Sequence, residues 1–227
     1  MFEYIRENLE RVRERIYAAA LKSGRDPKSI TLVAVSKTFP ADIIHAAVNY
    51  GVSDIGESRL QEAEPKIREL GGITKWHMIG HLQTNKIKRA VPLFDMIQSI
   101  DSIRLAEGIE SETEAIGKKV DCLLEVNSSG EESKFGVEPD ETMAMIEKFM
   151  EFKYISLRGL MTIGPYTDDT DAIRNAFGMV NRLFIDGQKI AGDNFSILSM
   201  GMSSDFEVAI EEGSNMVRVG TAIFGTR

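Results

Sequence analysis

Leu32-Val33-Ala34-Val35-Ser36-Lys37-Thr38 is the stretch from which the rest of the 227-residue chain can be read. Four apolar residues with a β-branched bias run straight into a lysine flanked by two hydroxyls. A run so short and so uniformly apolar predicts a strand buried on both faces, as parallel sheets require. Lys37 then stands at the carboxyl end of that strand, the end that faces the ligand crevice in parallel α/β folds. Most lysines in such places are solvated strand ends, so the rest of the chain has to decide what this one is for.

Upstream, Ile5, Leu9, Val12, Ile16 and Ala19 fall at spacings of four, three, four and three. That is one face of an amphipathic helix, stopping near Ser23-Gly24, where glycine is a common terminator. Downstream, a unit repeats. Pro40-Ala41-Asp42 opens a helix with Ile43, Ile44, Ala47 and Val48 inward, and Asp54-Ile55-Gly56 is a short strand. A polar helix from Arg59 to Leu70 leads to the strand Trp76-His77-Met78-Ile79-Gly80. Asn85 to Val91 is helical until Pro92, Met96 to Ile100 a strand, Ile103 to Ile116 a helix, and Val120 to Val126 a buried strand. A glycine-bearing loop from Ser128 to Val137 follows, with Lys134 in it, then a helix from Pro139 to Met150 with Met143, Ile146 and Met150 inward. Leu157 to Ile163 is a strand and Asp171 to Ile190 a long helix. The strand Ile197-Leu198-Ser199-Met200, a helix from Asp205 to Glu212 and the strand Met216-Val217-Arg218-Val219 complete the pattern.

Counted from residue 31 there are eight strands, each but the last followed by a convincing helix. Strict β-α alternation implies parallel pairing through right-handed crossovers, and eight units in about 200 residues match a closed barrel. The fold expected is therefore α/β, a single (β/α)8 TIM barrel over residues 1–227, with residues 1–30 as an extra N-terminal helical extension. An open doubly wound sheet would carry a glycine fingerprint after its first strand, and Ser-Lys-Thr-Phe occupies that position.

Bulk properties exclude several functions. A formal net charge of −8 argues against a general nucleic-acid surface, though not against a local anion site. The single cysteine, Cys122, excludes an internal disulfide and a cysteine metal cluster, and its apolar setting marks an inert thiol. No apolar stretch approaches the ~20 residues that cross a bilayer, and the N-terminus is too charged for a signal peptide. These features point to a cytoplasmic protein with no nucleic-acid or membrane partner. His77 and His81 are four apart, but a strand, Gly80 and the lack of a third ligand of clear spacing argue against zinc.

In a barrel, function belongs to the carboxyl ends of the strands. Strand one brings Ser36, Lys37 and Thr38, strand two Gly56, Glu57 and Ser58, and strand five Glu125. Strand seven ends in the small-residue loop Ser199-Met200-Gly201-Met202-Ser203-Ser204, and strand eight in Gly220-Thr221. Loops after strands seven and eight are this fold's recurrent phosphate site. A reactive amine and a phosphate cradle across one mouth suggest a Schiff base to a phosphorylated aldehyde, with pyridoxal 5'-phosphate the obvious candidate. The mouth is expected to desolvate Lys37.

On these residues the chain resembles the pyridoxal phosphate homeostasis proteins, the YggS/PROSC family, which share the barrel of the alanine racemase N-terminal domain. The matching segments are Leu32 to Thr38, Gly56-Glu57 with Gln61-Glu62, Trp76 to Lys86 and Lys134-Phe135-Gly136, followed by Arg158 to Met161, Leu198 to Asp205 and Val217 to Gly225. They run from the first strand to the C-terminus. The resemblance implies that Lys37 holds pyridoxal phosphate as a covalent aldimine. It implies that Ser199, Gly201, Ser203, Gly220 and Thr221 surround the phosphate with Met202 beside them, that Arg218 faces the pyridine nitrogen, and that Ser58 and His77 complete the cofactor-binding set. Where the family usually has Gly-Glu-Asn-Tyr, this chain has Gly56-Glu57-Ser58-Arg59, so a shorter hydroxyl replaces the asparagine near the cofactor.

A guanidinium only donates, so Arg218 would keep the pyridine nitrogen unprotonated and the ring a weak electron sink. Racemases of this fold use a tyrosine from a C-terminal β domain as second base. Here Thr226-Arg227 follow closely on strand eight, and none of Tyr4, Tyr17, Tyr50, Tyr154 and Tyr166 lies in a substituting motif. The reading is a carrier with no catalytic residue and no metal, which holds and delivers pyridoxal phosphate, with apo-enzymes that use it as recipients. The alternatives are a one-base amino-acid racemase and an aldolase-like use of Lys37. An open mouth makes a monomer sufficient and leaves a dimer open.

Overall fold

The computed structural model describes residues 2–130 and 135–226. Eight parallel strands close into a barrel in chain order, β1 (Thr31–Val35), β2 (Asp54–Glu57), β3 (Lys75–Met78), β4 (Met96–Ile100), β5 (Val120–Glu125), β6 (Ile155–Met161), β7 (Ile197–Ser199) and β8 (Met216–Val219). β8 returns to β1 with Val33 opposite Arg218 and Ala34 opposite Val219. Between the strands run α2 (Ala41–Asn49), α3 (Leu60–Leu70), α4 (Ile87–Ala90), α5 (Ile103–Ile116), α6 (Thr142–Phe149), α7 (Thr170–Ala191) and α8 (Phe206–Glu211). The (β/α)8 barrel expected from the alternation is what the chain forms. The two longest inter-strand helices are capped as their sequences dictate. Ser102 accepts from Leu105 N at 3.4 Å, and Asp169 from Asp171 N at 2.9 Å.

The first helix, α1 (Glu3–Lys22), buries Ile5, Leu9, Val12, Ile16 and Ala19, the five positions picked out by the spacing, together with Ala20. It packs on α8, and on α9 (Thr221–Phe224), a four-residue helix that the sequence did not announce. Asn8 Nδ2 donates to Ile223 O at 2.7 Å across that contact. Among the described residues α9 is the turn after β8, and α1 packs beside it and α8 on the outside of the barrel. The helical extension is thus part of the outer layer.

Two other expectations shift. Asn85 to Val91 is a 3₁₀ turn, Thr84–Lys86, followed by the one-turn α4. Pro139–Glu141 is likewise 3₁₀, so α6 starts at Thr142 and its phase turns. Phe149 takes the inward place expected for Met150, which is exposed. The tighter 3₁₀ winding accounts for the slip.

The apolar core has two parts. The larger lies between strands and helices; a smaller plug inside the barrel is made of Val33, Met96, Leu123, Met161 and Met216. Other inward positions of β2, β3, β4, β7 and β8 carry the polar residues Asp54, His77, Gln98, Ser199 and Arg218, all buried. Among the described residues, no helix is long and apolar enough to cross a membrane.

Candidate functional site

A cavity of about 310 Å³ opens at the carboxyl ends of the strands. β1 contributes Val35 and, just past its end, Lys37. Ser58 and Ile79 follow β2 and β3, and Ile163 follows β6. Opposite stand Met202, Ser203 and Ser204 after β7, and Arg218, Gly220 and Thr221 from β8 and the turn behind it. A larger hollow of about 660 Å³ lies at the other end of the barrel, between α1 and the segments entering β1 and β2. Size does not decide between them, because the strand-end loops that build sites in this fold converge only on the mouth.

Lys37 is held by its neighbours' hydrogen bonds. Ser36 Oγ donates to Glu57 Oε1 at 2.6 Å, and Lys66 Nζ bridges Glu57 Oε1 at 2.7 Å and Ser36 O at 3.1 Å. Glu57 is fully buried, and burial pushes its carboxyl up against the pull of Lys66 and Ser36. On the other side, Thr38 N donates to Glu62 Oε2 at 3.0 Å. Thr38 has φ 73°, the left-handed region that a β-branched residue enters only under constraint. The turn is clamped on both flanks, and the lysine side chain between the clamps is exposed. The desolvation expected of Lys37 is absent from the open mouth. Glu57 and Glu62, present in the matched segments without an assigned role, hold the residues on either side of the lysine.

Arg218 is the opposite case, 3% exposed. Nη1 donates to Ser199 O at 2.9 Å and to Ser199 Oγ at 2.6 Å, and Nη2 to Thr162 O at 2.7 Å. Burial lowers its pKa to about 10, with Glu125 and Asp205 partly offsetting the cost. It therefore remains a cation at neutral pH and can only donate. Glu125, the inward residue at the end of β5, has its carboxyl pushed up to about 7 by burial, against the attraction of Arg218. Asp205 is also raised by burial, although Met202 N donates to its Oδ1 at 2.6 Å.

The β7 and β8 loops meet at Ser203, whose Oγ accepts from Gly220 N at 3.2 Å and Ala222 N at 3.3 Å. Two backbone N–H groups thus converge on one oxygen. Gly201 makes the loop possible. Its φ is +92°, and a Cβ would lie 2.7 Å from Phe206 Cα. Gly80 acts similarly beneath Ser58, where a Cβ would lie 2.3 Å from the Ser58 carbonyl oxygen.

Of the residues expected at the site, Lys37, Ser58, Met202, Ser203, Arg218, Gly220 and Thr221 line the cavity. Gly201 lies behind it, its carbonyl accepting from Arg218 N at 3.0 Å. Ser199 and His77 do not reach it. Ser199 sits beneath Arg218, and His77 is inside the barrel with both ring nitrogens engaged, by Asp54 at 3.0 Å and Gln98 at 2.9 Å. His77 is on an inward position of β3, below the strand end, which the sequence did not separate from the mouth. Lys134 lies outside the described residues. Ser204, Ile79 and Ile163 complete the wall; they were findable as the residues next to each strand end. Cys122 is buried, and burial pushes its thiol up, as an inert core residue.

Comparison with known proteins then places the chain. The model of the alanine racemase N-terminal domain matches residues 3–227. The chain belongs to this family. It is 40% identical over 222 residues to the pyridoxal phosphate homeostasis protein of Aquifex aeolicus, covering 97% of both chains. The protein of that name from Escherichia coli strain K12 is 39% identical over 229 residues, with 98% of this chain and 97% of the other covered. Among solved structures, PipY of Synechococcus elongatus with pyridoxal phosphate bound has a TM-score of 0.84 at 33% identity, covering 97% of this chain and 100% of that one. An alanine racemase of Clostridium difficile, at 18% identity and a TM-score of 0.75, shares the fold over 57% of its length.

Proposed function

We propose that this chain binds pyridoxal phosphate in the strand-end cavity, attaches it covalently at Lys37, and serves as a cytoplasmic reservoir that hands it to enzymes lacking it. The whole chain acts as one barrel unit. The observation that carries the reading is the pairing, across one cavity, of an exposed, backbone-clamped lysine with an oxygen-accepting corner at Ser203. The residues present fit the cofactor. Two N–H groups already converge on an oxygen there, hydroxyls of Ser204 and Thr221 line the same side, and a volume of about 310 Å³ is at the lower end for small-ligand sites. When bound, pyridoxal phosphate supplies an aldehyde with which an amine condenses reversibly, releasing water.

The chain's own residues then divide the work. Ser203, Ser204, Gly220 and Thr221 hold the phosphate, Ile79, Ile163 and Met202 present apolar surface to the ring, and Ser58 supplies a hydroxyl at the rim. Arg218 offers donors only. A carboxylate that would hold a protonated ring nitrogen, as strongly activating sites provide, is replaced by a cation. That choice favours carriage over chemistry, in keeping with the name that the most similar curated relatives bear. The racemase reading rests on the family fold alone.

The test is an absorbance titration with pyridoxal phosphate followed by borohydride reduction and peptide mapping. A new near-ultraviolet or visible band and a label on Lys37, both lost in Lys37→Ala, are expected. Absence of any uptake by the parent protein overturns the proposal. Rapid exchange of the alanine α-proton in deuterated water, dependent on Lys37, would favour the racemase.

A further inference from the structure

Five buried polar residues inside the barrel form one continuous chain of hydrogen bonds. Arg218 Nη1 meets Ser199 Oγ at 2.6 Å, Ser199 Oγ meets Gln98 Oε1 at 2.8 Å, Gln98 Nε2 meets His77 Nδ1 at 2.9 Å, and His77 Nε2 meets Asp54 Oδ1 at 3.0 Å. These links cross the barrel through β8, β7, β4, β3 and β2. They begin at the floor of the mouth and end on a residue that lines the hollow at the base.

The chemistry of the two ends gives the chain a direction. Arg218 can only donate, so Ser199 Oγ accepts from it and must place its own hydrogen on Gln98 Oε1. The Gln98 amide then presents N–H to His77 Nδ1, which makes that nitrogen the acceptor. His77 therefore carries its proton on Nε2 and donates to Asp54. Asp54 suits the final position. Burial would raise its carboxyl, but His77 and Ser53 donate to it and hold it below the usual range. With the amide flipped, Ser199 would face two donors and its own hydrogen would lack an acceptor, while a neutral His77 would have to turn an unprotonated Nε2 toward a carboxylate. Only one arrangement satisfies every buried group, as buried polar networks must.

We propose that Gln98 and His77 are positioning residues for Arg218. The chain locks the Ser199 hydroxyl as an acceptor, and this fixes the guanidinium plane beneath the mouth. Three of its five N–H groups are spent on Ser199 O, Ser199 Oγ and Thr162 O, and with the plane fixed the remaining two keep one orientation at the cavity floor that Arg218 helps to line. The chain extends the function proposed above by naming what holds its donor-only floor. It is independent of that reading, because every link runs between residues of the chain itself.

The experiment uses the full-length, ligand-free protein labelled with ¹⁵N in histidine and arginine, with Gln98→Met and Gln98→Glu beside the parent. Signals are assigned through His77→Asn and Arg218→Lys, and folding is followed by circular dichroism. In the parent, His77 is expected as the neutral Nε2–H tautomer and Arg218 with separate, slowly exchanging Nη signals. Gln98→Met should speed Arg218 Nη exchange about tenfold, the scale of one charge-assisted hydrogen bond lost. Gln98→Glu can still accept from Ser199, so it should retain the Arg218 signals while forcing a second proton onto His77. Unchanged Arg218 exchange in a folded Gln98→Met overturns the proposal. So does an Nδ1–H tautomer in the parent, a measurement that stands even where the variants fail to fold. Titration of the same proteins with pyridoxal phosphate is expected to show about tenfold weaker binding and a displaced band in Gln98→Met. A parent that takes up no pyridoxal phosphate would sink the cofactor reading, while the His77 tautomer and the Arg218 exchange rates would still decide whether the hydrogen-bond chain positions the guanidinium.

Discussion

Lys37 and Arg218 stand on neighbouring strands of the same barrel and line the same cavity, and they are opposites. Lys37 is exposed, and the turn that carries it is fixed through its neighbours, by the Ser36–Glu57–Lys66 cluster on one side and Thr38 on Glu62 on the other. Arg218 is buried, and it is fixed through its head group, by two backbone carbonyls and a hydroxyl. The difference follows from what each cation has to do. A covalent tether needs a side chain free to reach and an anchor that does not drift, whereas an electrostatic floor needs a charge that does not turn. A buried guanidinium keeps its proton where an ammonium would shed it, and its fork can satisfy several acceptors at once. The exchange of the two residue types would fail in both directions.

The contrast can be broken most severely in stability. Arg218→Met should destabilise by roughly 3–5 kcal/mol, because the Ser199 and Thr162 carbonyls lose their donor and Glu125 and Asp205 lose their cation. Lys37→Met, at an exposed position, should move stability by no more than about 0.5 kcal/mol. Urea denaturation of the two variants reads both numbers, and near-equal losses would erase the distinction. A smaller effect concerns the neighbour of Arg218. The Glu125 carboxyl is raised from 4.5 to about 7 in the folded protein. The folded state therefore binds the extra proton between those values, and this contribution to stability, full below about pH 4.5, is lost as pH rises through 7. Glu125→Gln should remove that slope, worth on the order of 3 kcal/mol across the window, in melts run from pH 4.5 to 8. A parent and variant with parallel profiles would place the carboxyl outside the influence of the barrel. The smallest expected change is on the Lys37 side of the cavity. Ser58→Asn puts a longer amide at the rim, and should tighten pyridoxal phosphate binding by a few-fold, about one hydrogen bond at a partly solvated rim. Weaker binding would show that the space over Ser58, pressed from below by Gly80, is already full.

Much of the barrel was legible because each parallel strand is a short apolar run and each turn is marked by a glycine, proline or hydroxyl. Leu32 to Val35 and Val120 to Leu124 could hardly be anything else. What escaped was phase and parity. Pro139 signalled a helix start, but the 3₁₀ turn it opens rotated the inward face from Met150 to Phe149. Seven of the ten residues expected at the site line the cavity. His77 and Ser199 point inward like Arg218 but sit deeper in the barrel, a depth that nearness to a strand-end motif does not reveal. The period of two places Asp54, His77, Gln98, Ser199 and Arg218 on inward positions, and a polar residue there is the signal that an internal chain exists. Glu57 and Lys66 were beyond reach, since nine residues and a strand-to-helix turn separate partners that meet only in three dimensions.

The place of α1 has a consequence for how the molecule is made. Its apolar face, Ile5 through Ala20, packs on α8 and α9, elements that leave the ribosome roughly 190 residues later. At ~5–20 residues per second, the first helix waits on the order of ten seconds or more before its partners exist. Most of the stability of such a helix comes from packing its apolar face, and until α8 and α9 exist that face lacks them as cover. α8 and α9, far along the chain, are what finally cover it, and closure of the barrel waits on its longest-range contacts.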